Sequence, residues 1–255
     1  MIANMNEKGR QTKLLAAVAV FAMVVCALAV VMPSSDIDAA NEIQVSPGEN
    51  SDGVDNLQVA INNASEGDVL ILAAGNYGDL SDTKYTKYIV NKTITIRAAD
   101  SENKPVIYGG FAVNAEGCIF ENLSINPDGE GATMKSGIAL YGNTITVTGC
   151  DFDLGTANLA NGIMLFPKTV TPAVKASYNI SKNTFVGFHN DNTGGWGSTA
   201  IGVAEGYDSL QNYFDGEDDA VSGESGLTAA DEQKFVDDND FEQCTNVYDR
   251  TNYNN

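Results

Sequence analysis

Positive charge, histidine and tryptophan are scarce in this chain. Lys and Arg together number 14 against 34 Asp and Glu, and there is a single His and a single Trp. The formal net charge of −20 repels phosphate backbones and anionic lipid, which excludes nucleic-acid binding and suits a secreted protein or one that holds divalent cations. Beyond the export region the cysteines are Cys118, Cys150 and Cys244. That is an odd number, spread too widely for a disulfide framework or a zinc site, so free buried thiols are expected. Helical periodicity is also nearly missing after residue 68, which excludes an all-helical fold.

One long apolar run is present, Leu14 to Met32, behind the basic residues Lys8, Arg10 and Lys13 and ahead of the small residues Ala39 and Ala40. The three parts together form an export signal. Residues 1–40 are therefore expected to be a signal peptide cleaved near Ala39 or Ala40. The alternative is an N-terminal membrane anchor through residues 14–32, since the run approaches the ~20 residues that span a bilayer. Either outcome places residues 41–255 outside the cell or on its surface. About 215 residues are enough for one sizeable domain.

From residue 68 onward, short strand-like runs alternate with Gly, Asn and Asp. Four segments align without gaps: Ile119 to Ile125, Val147 to Asp153, Ile180 to Val186 and Val236 to Glu242. Their fourth residues are Asn122, Cys150, Asn183 and Asn239, and their sixth are Ser124, Phe152, Phe185 and Phe241. Weaker copies begin at Ile71 and Ile96, and a second strand follows several copies, as at Gly137 to Leu140, Gly162 to Leu165 and Ala200 to Val203. A fixed strand with a variable connection predicts a parallel β-solenoid, whose turns stack at the ~4.8 Å strand spacing while loops lengthen freely. In such a stack a recurring Asn turns the chain and hydrogen-bonds to its equivalent one turn away, and Phe stacks in the core. Asn122 is expected to belong to that inward ladder. A β-sandwich with chance similarity among Asn-rich turns is the competing reading.

Val54, Leu57, Ala60, Ile61 and Ala64 fall at helical spacing and predict a short amphipathic helix over 54–64 that caps the open end. The run Leu57 to Tyr77, followed by Ile94-Thr-Ile-Arg-Ala98, resembles the opening of right-handed parallel β-helix proteins of the pectate-lyase-like superfamily. The resemblance implies an all-β, single-stranded right-handed parallel β-helix with an N-terminal capping helix. It leaves activity open, because the superfamily includes lyases, glycoside hydrolases, tailspikes and adhesin-like surface proteins.

The residues that enzymes of that superfamily imply are not matched here. Arg97 and Arg250 are the arginines outside the export region, and neither stands beside an acidic cluster in sequence. Asp218-Asp219 and Asp237-Asp238 are paired aspartates, but His189 precedes them and no basic triplet follows. Two loops remain as candidates. In the first, His189, Asp191, Asn192 and Trp196 offer a flat ring for a sugar face and polar groups for its hydroxyls. A large aromatic usually buries most of its area, which favours Trp196 folded over its own loop. In the second, an inserted acidic loop over 210–233, Asp215, Glu217, Asp218 and Asp219 supply hard oxygens suited to Ca2+. Without the ligand order of an EF-hand, a solvated acidic loop is the plainer reading.

The expected function is thus an adhesin-like protein whose loops bind an extracellular polysaccharide or a surface protein. The alternatives are a Ca2+-dependent polysaccharide lyase or related carbohydrate enzyme, and a structural unit of a cell-surface layer. Four glycosylation-like triplets, at Asn63, Asn91, Asn122 and Asn179, are near chance in so Asn-rich a chain.

Overall fold

The computed structural model describes residues 40–78, 85–127, 135–154, 160–168, 175–189, 198–205 and 225–252. These lie within the unit Ala40–Asn255, and the apolar run 14–32 falls outside them. Among the described residues no helix is long and apolar enough to cross a membrane.

The short alternating runs form parallel strands in three ladders. The first holds β1 (Glu42–Val45), β2 (Val69–Leu72), β5 (Thr95–Ala98), β7 (Cys118–Glu121), β10 (Thr144–Thr148) and β13 (Ser177–Ser181), paired in chain order. The second holds β3 (Asn76–Tyr77), the start of β6 (Val106–Val113), β8 (Ser124–Asn126), β11 (Asp151–Asp153), β14 (Thr184–Val186) and β16 (Asp240–Glu242). The third holds β4 (Thr86–Val90), the rest of β6, β9 (Lys135–Tyr141), β12 (Ala160–Phe166), β15 (Ile201–Glu205) and β17 (Tyr248–Asn252). β6 runs through the corner and joins the second and third ladders into one 11-stranded sheet. The fold is predominantly β, with parallel sheets curled into a half-barrel, and is compatible with a β-helix.

Alternation decides which side chains enter the core, and the parallel register stacks them in columns. One column in the second ladder runs Tyr77, Ile107, Ile125, Phe152, Phe185, Phe241. Another in the first ladder runs Ile43, Leu70, Ile96, Phe120, Val147, Ile180. The third ladder contributes Tyr88, Phe111, Ile138, Ile163, Ile201 and Tyr248. From Ile107 to Phe185 the second column is wholly buried, so every pass of the chain adds one apolar layer.

Register corrects part of the repeat. Phe120, not Ile119, pairs with Val147, and Leu70, not Ile71, pairs with Ile96. A slip of one residue exchanges the faces of a strand. The ungapped alignment therefore puts Asn122 one place too early, and Leu123 occupies the buried position level with Cys150. Asn122 instead is half-buried and turns the corner at φ 57°, as Gly149 and Lys182 do at 65° and 59° on the next two passes. A short polar side chain tolerates that left-handed conformation better than most.

The copy at Val236 is not a strand at its start. Residues Ala229–Asp237 form a helix, so the C-terminal part of the expected 210–233 loop is helical too. Thr228 and Asp231 make a capping box, and Ala229, Glu232, Gln233 and Lys234 are residues that favour or tolerate helix, which overrides the single Val.

The expected capping helix is present as α1 (Asn56–Asn63), with Leu57 and Ile61 buried; the helix Ala229–Asp237 is α2. Asp55 caps α1 by accepting from Leu57 N–H, and its other oxygen accepts the Gly78 N–H at 2.9 Å. Gln58 closes the outer edge of β4: its Oε1 accepts the Ile89 N–H at 2.8 Å and its Nε2 donates to the Ile89 carbonyl at 3.3 Å. Two side chains thus blunt strand edges that would otherwise invite pairing.

Candidate functional site

Four of the connections from the second to the third ladder are 79–84, 128–134, 155–159 and 190–197, while β6 makes the same corner without a break. The loops themselves lie outside the described residues, but their roots are described. There the third ladder opens with a column that reads Thr86, Gly109, Ser136, Asn161, Thr199, Asn246. Ser136, Asn161 and Thr199 are buried. Tyr85 donates its hydroxyl to the Ser136 carbonyl at 2.6 Å, the Thr199 N–H donates to Asn161 Oδ1 at 2.9 Å, and Asn246 Nδ2 donates to Thr199 Oγ1 at 2.6 Å. Side chains thus bond Tyr85 to the Ser136 pass and join Asn161, Thr199 and Asn246 on three successive passes. Next to this polar column stand Gly137, Gly162 and Ala200. A Cβ on Gly162 would lie 2.4 Å from the Ala200 carbonyl and 2.8 Å from the Phe185 ring, so the position needs its missing side chain.

Sequence reasoning missed this column, although its signal is legible. Ser136-Gly-Ile138, Asn161-Gly-Ile163 and Thr199-Ala-Ile201 share a polar, a small and a β-branched residue.

His189 is half-buried, with Nδ1 3.3 Å from Thr245 Oγ1, and its carbonyl accepts the Ser198 N–H at 3.2 Å. That bond closes the base of the 190–197 loop. Asp191, Asn192 and Trp196 lie outside the described residues, as do Asp215, Glu217, Asp218 and Asp219. Among the described residues no three His, Cys, Asp or Glu side chains gather to hold a metal ion.

The segment 206–224 is closed in the same manner. Buried Glu205 accepts the N–H and hydroxyl of Ser225 at 2.9 and 3.0 Å. Arg250 donates to Glu205 at 2.7 Å through Nη2 and to Glu232 of α2 at 2.6 Å through Nη1. Arg250 stands at the end of the column Val90, Val113, Leu140, Leu165, Val203, so a cation terminates an apolar stack. It meets two carboxylates in space that are far from it in sequence. Arg97, by contrast, makes one exposed ion pair with Glu42 at 3.2 Å.

Burial pushes the Glu205 carboxyl up, but the bonds from Ser225 and Arg250 outweigh it and hold the group below its ordinary value. Asp231, bonded by Lys175 and Thr228, and Asp68, bonded by the N–H groups of Ser65 and Asn41, are lowered too. A carboxyl whose folded value is depressed stabilises the fold above its unfolded pKa and loses that contribution as pH falls. The urea midpoint should therefore hold steady from pH 8 to 5 and fall below about pH 4.3, the unfolded Glu value. Glu205→Gln should flatten that acid-side slope; an unchanged slope would remove Glu205 from the account.

The thiols are free, with Cys118 and Cys150 buried and Cys244 half-buried. Burial pushes Cys118 up to about 11 and Cys150 up to about 12, values that suppress the reactive thiolate. A cleft of about 490 Å³ separates β13 from α2 and is lined by Lys175, Asn179, Ile180, Leu227, Asp231 and Phe235. An ion pair of 2.5 Å between Lys175 and Asp231 closes part of its rim.

Compared with known protein families, curated proteins and solved structures, the chain matches none.

Proposed function

We propose that the chain is an exported right-handed parallel β-helix of the pectate-lyase-like kind that acts as an adhesin-like binding protein. Its ligand is an extracellular polysaccharide or a surface protein, held by the loops between the second and third ladders. The observation that carries this reading is the stack of described loop roots at one corner, where Asn161, Thr199 and Asn246 are hydrogen-bonded from pass to pass. A rigid ladder beneath variable loops is how binding residues are commonly held. His189 and Ser198 keep the ends of the 190–197 loop together, so His189, Asp191, Asn192 and Trp196 would act from a closed base. The acidic residues Asp215, Glu217, Asp218 and Asp219 would lend Ca2+ affinity to the neighbouring segment.

Trp196 is the single tryptophan, so its fluorescence reports on that loop alone. A panel of polysaccharides titrated into the protein, with and without Ca2+, should give one or more saturable shifts. Trp196→Ala, which carries no tryptophan and is read by titration calorimetry instead, should weaken that binding at least ten-fold while the thermal midpoint stays put. A flat response across the panel would sink the glycan reading. Unsaturated products released from a uronate polymer would make the protein a lyase instead.

A further inference from the structure

We propose that the outer edge of β16 is a docking site for an extended basic segment of a partner protein, with a cation, an apolar residue and a second cation in succession. The site lies at the far end of the ladders from α1 and does not depend on the loops.

Three observations lead there. First, β16 pairs with β14 and, among the described residues, with no strand beyond. The Asp240 N–H donates to the Asn183 carbonyl at 2.8 Å, and the Glu242 carbonyl accepts the Gly187 N–H at 3.0 Å. Backbone direction alternates along a parallel ladder, so the Phe241 N–H and carbonyl point away from β14, toward the side on which no described strand lies. Second, the aromatic column is unfinished at Phe241. Its ring stacks on Phe185 at 5.3 Å and 13°, yet it is half-buried where Phe152 and Phe185 are fully buried. An apolar side chain arriving in register would complete the column. Third, carboxylates flank Phe241 along the chain: Asp240 and Glu242 stand on either side of it and Asp237 and Asp238 just before, all exposed.

The charge chooses the occupant. A second copy would set Asp240 and Glu242 against their own equivalents, and like charges directly opposite destabilise a strand pair. The net charge of −20 adds to that repulsion. Head-to-tail stacking meets a blocked face as well, because Asp55 already holds the Gly78 N–H just past β3, and Gln58 the Ile89 edge groups of β4, at the other end. A strand bearing Lys or Arg on both sides of an apolar residue meets none of these obstacles. It would gain backbone bonds to Phe241, stack on its ring and pair with Asp240 and Glu242, which is strand addition with the side chains supplying selectivity.

The test uses the full chain and a fluorescent peptide carrying Lys-Phe-Lys between threonines, read by anisotropy at low salt. Saturable binding is expected, at least ten-fold tighter than for the peptide with Glu-Phe-Glu. The double variant Asp240→Lys with Glu242→Lys changes exposed residues only and should reverse that preference. Equal affinity for both peptides would overturn the proposal, and so would a charge swap that leaves the preference unchanged. Sedimentation showing a dimer that the swap alters would also overturn it, by giving the edge to a second copy.

Discussion

Phe185→Ala should destabilise the protein by about 3–5 kcal/mol, the range for truncating a fully buried Phe. Phe185 has no exposed surface and lies between two parallel rings, 4.8 Å from Phe152 at 7° and 5.3 Å from Phe241 at 13°. Phe188 meets it edge-on at 6.0 Å. Removing the ring opens a cavity between two layers that the backbone bonds of β11, β14 and β16 hold apart, so collapse is limited. Against a total stability of roughly 5–15 kcal/mol, that loss is large. Phe185→Leu, which keeps most of the volume, should cost no more than about 1.5 kcal/mol. Phe241→Ala should cost less than Phe185→Ala because its ring is already half in water. Urea titration of the variants measures these differences. A Phe185→Ala loss under about 1 kcal/mol would mean that the column is not the core.

The second large effect is expected at Asn183, which is fully buried and uses both ends of its amide. Its Oδ1 accepts the Cys150 N–H at 2.9 Å, and its Nδ2 donates to the Val147 carbonyl at 3.0 Å and to Asn239 Oδ1 at 2.9 Å. Asn239 continues the ladder, donating to the Ile180 and Phe235 carbonyls. Asn183→Leu fills similar space but leaves the Cys150 N–H without its partner and removes the amide donor from the Val147 carbonyl and Asn239 Oδ1. A stranded buried group costs about 1–3 kcal/mol, so the expected loss is at least about 1 kcal/mol. Asn183→Asp should be worse at neutral pH, since a buried carboxylate would face two oxygens. Its folded-state pKa would be raised, so stability lost as pH rises should return as pH falls toward 4. Equal destabilisation of the Asp variant at pH 4 and pH 7 would count against this geometry.

Much of this architecture can be read from residue order. Phe152, Phe185 and Phe241 follow Cys150, Asn183 and Asn239 by two places, and the structure puts the Phe column inward and the Asn side chains across passes. The capping helix was legible in the spacing of Leu57 and Ile61, and its structure needs little beyond that spacing and the Asp55 cap. Other features could not be read so directly. Ile119 and Phe120 are both strong strand formers, and only pairing with Val147 tells which one enters the core. Val236 matches the repeat, yet the Thr228 capping box and the residues behind it make helix. The polar column at the loop roots was hidden because its members, Ser136, Asn161, Thr199 and Asn246, share a hydrogen-bonding role without sharing an identity. Of the candidate site, His189 alone lies among the described residues, at the closed base of its loop.

Local order therefore settles the strand class, the scarcity of helix, the aromatic column and the turn chemistry, because each depends on side chains only a few residues apart. Register, the substitution of α2 for a strand on the last pass, and the meeting of Arg250 with Glu205 and Glu232 depend on neighbours one or more passes away. A period of two says which residues share a face. Only the adjoining strand says which face is inside.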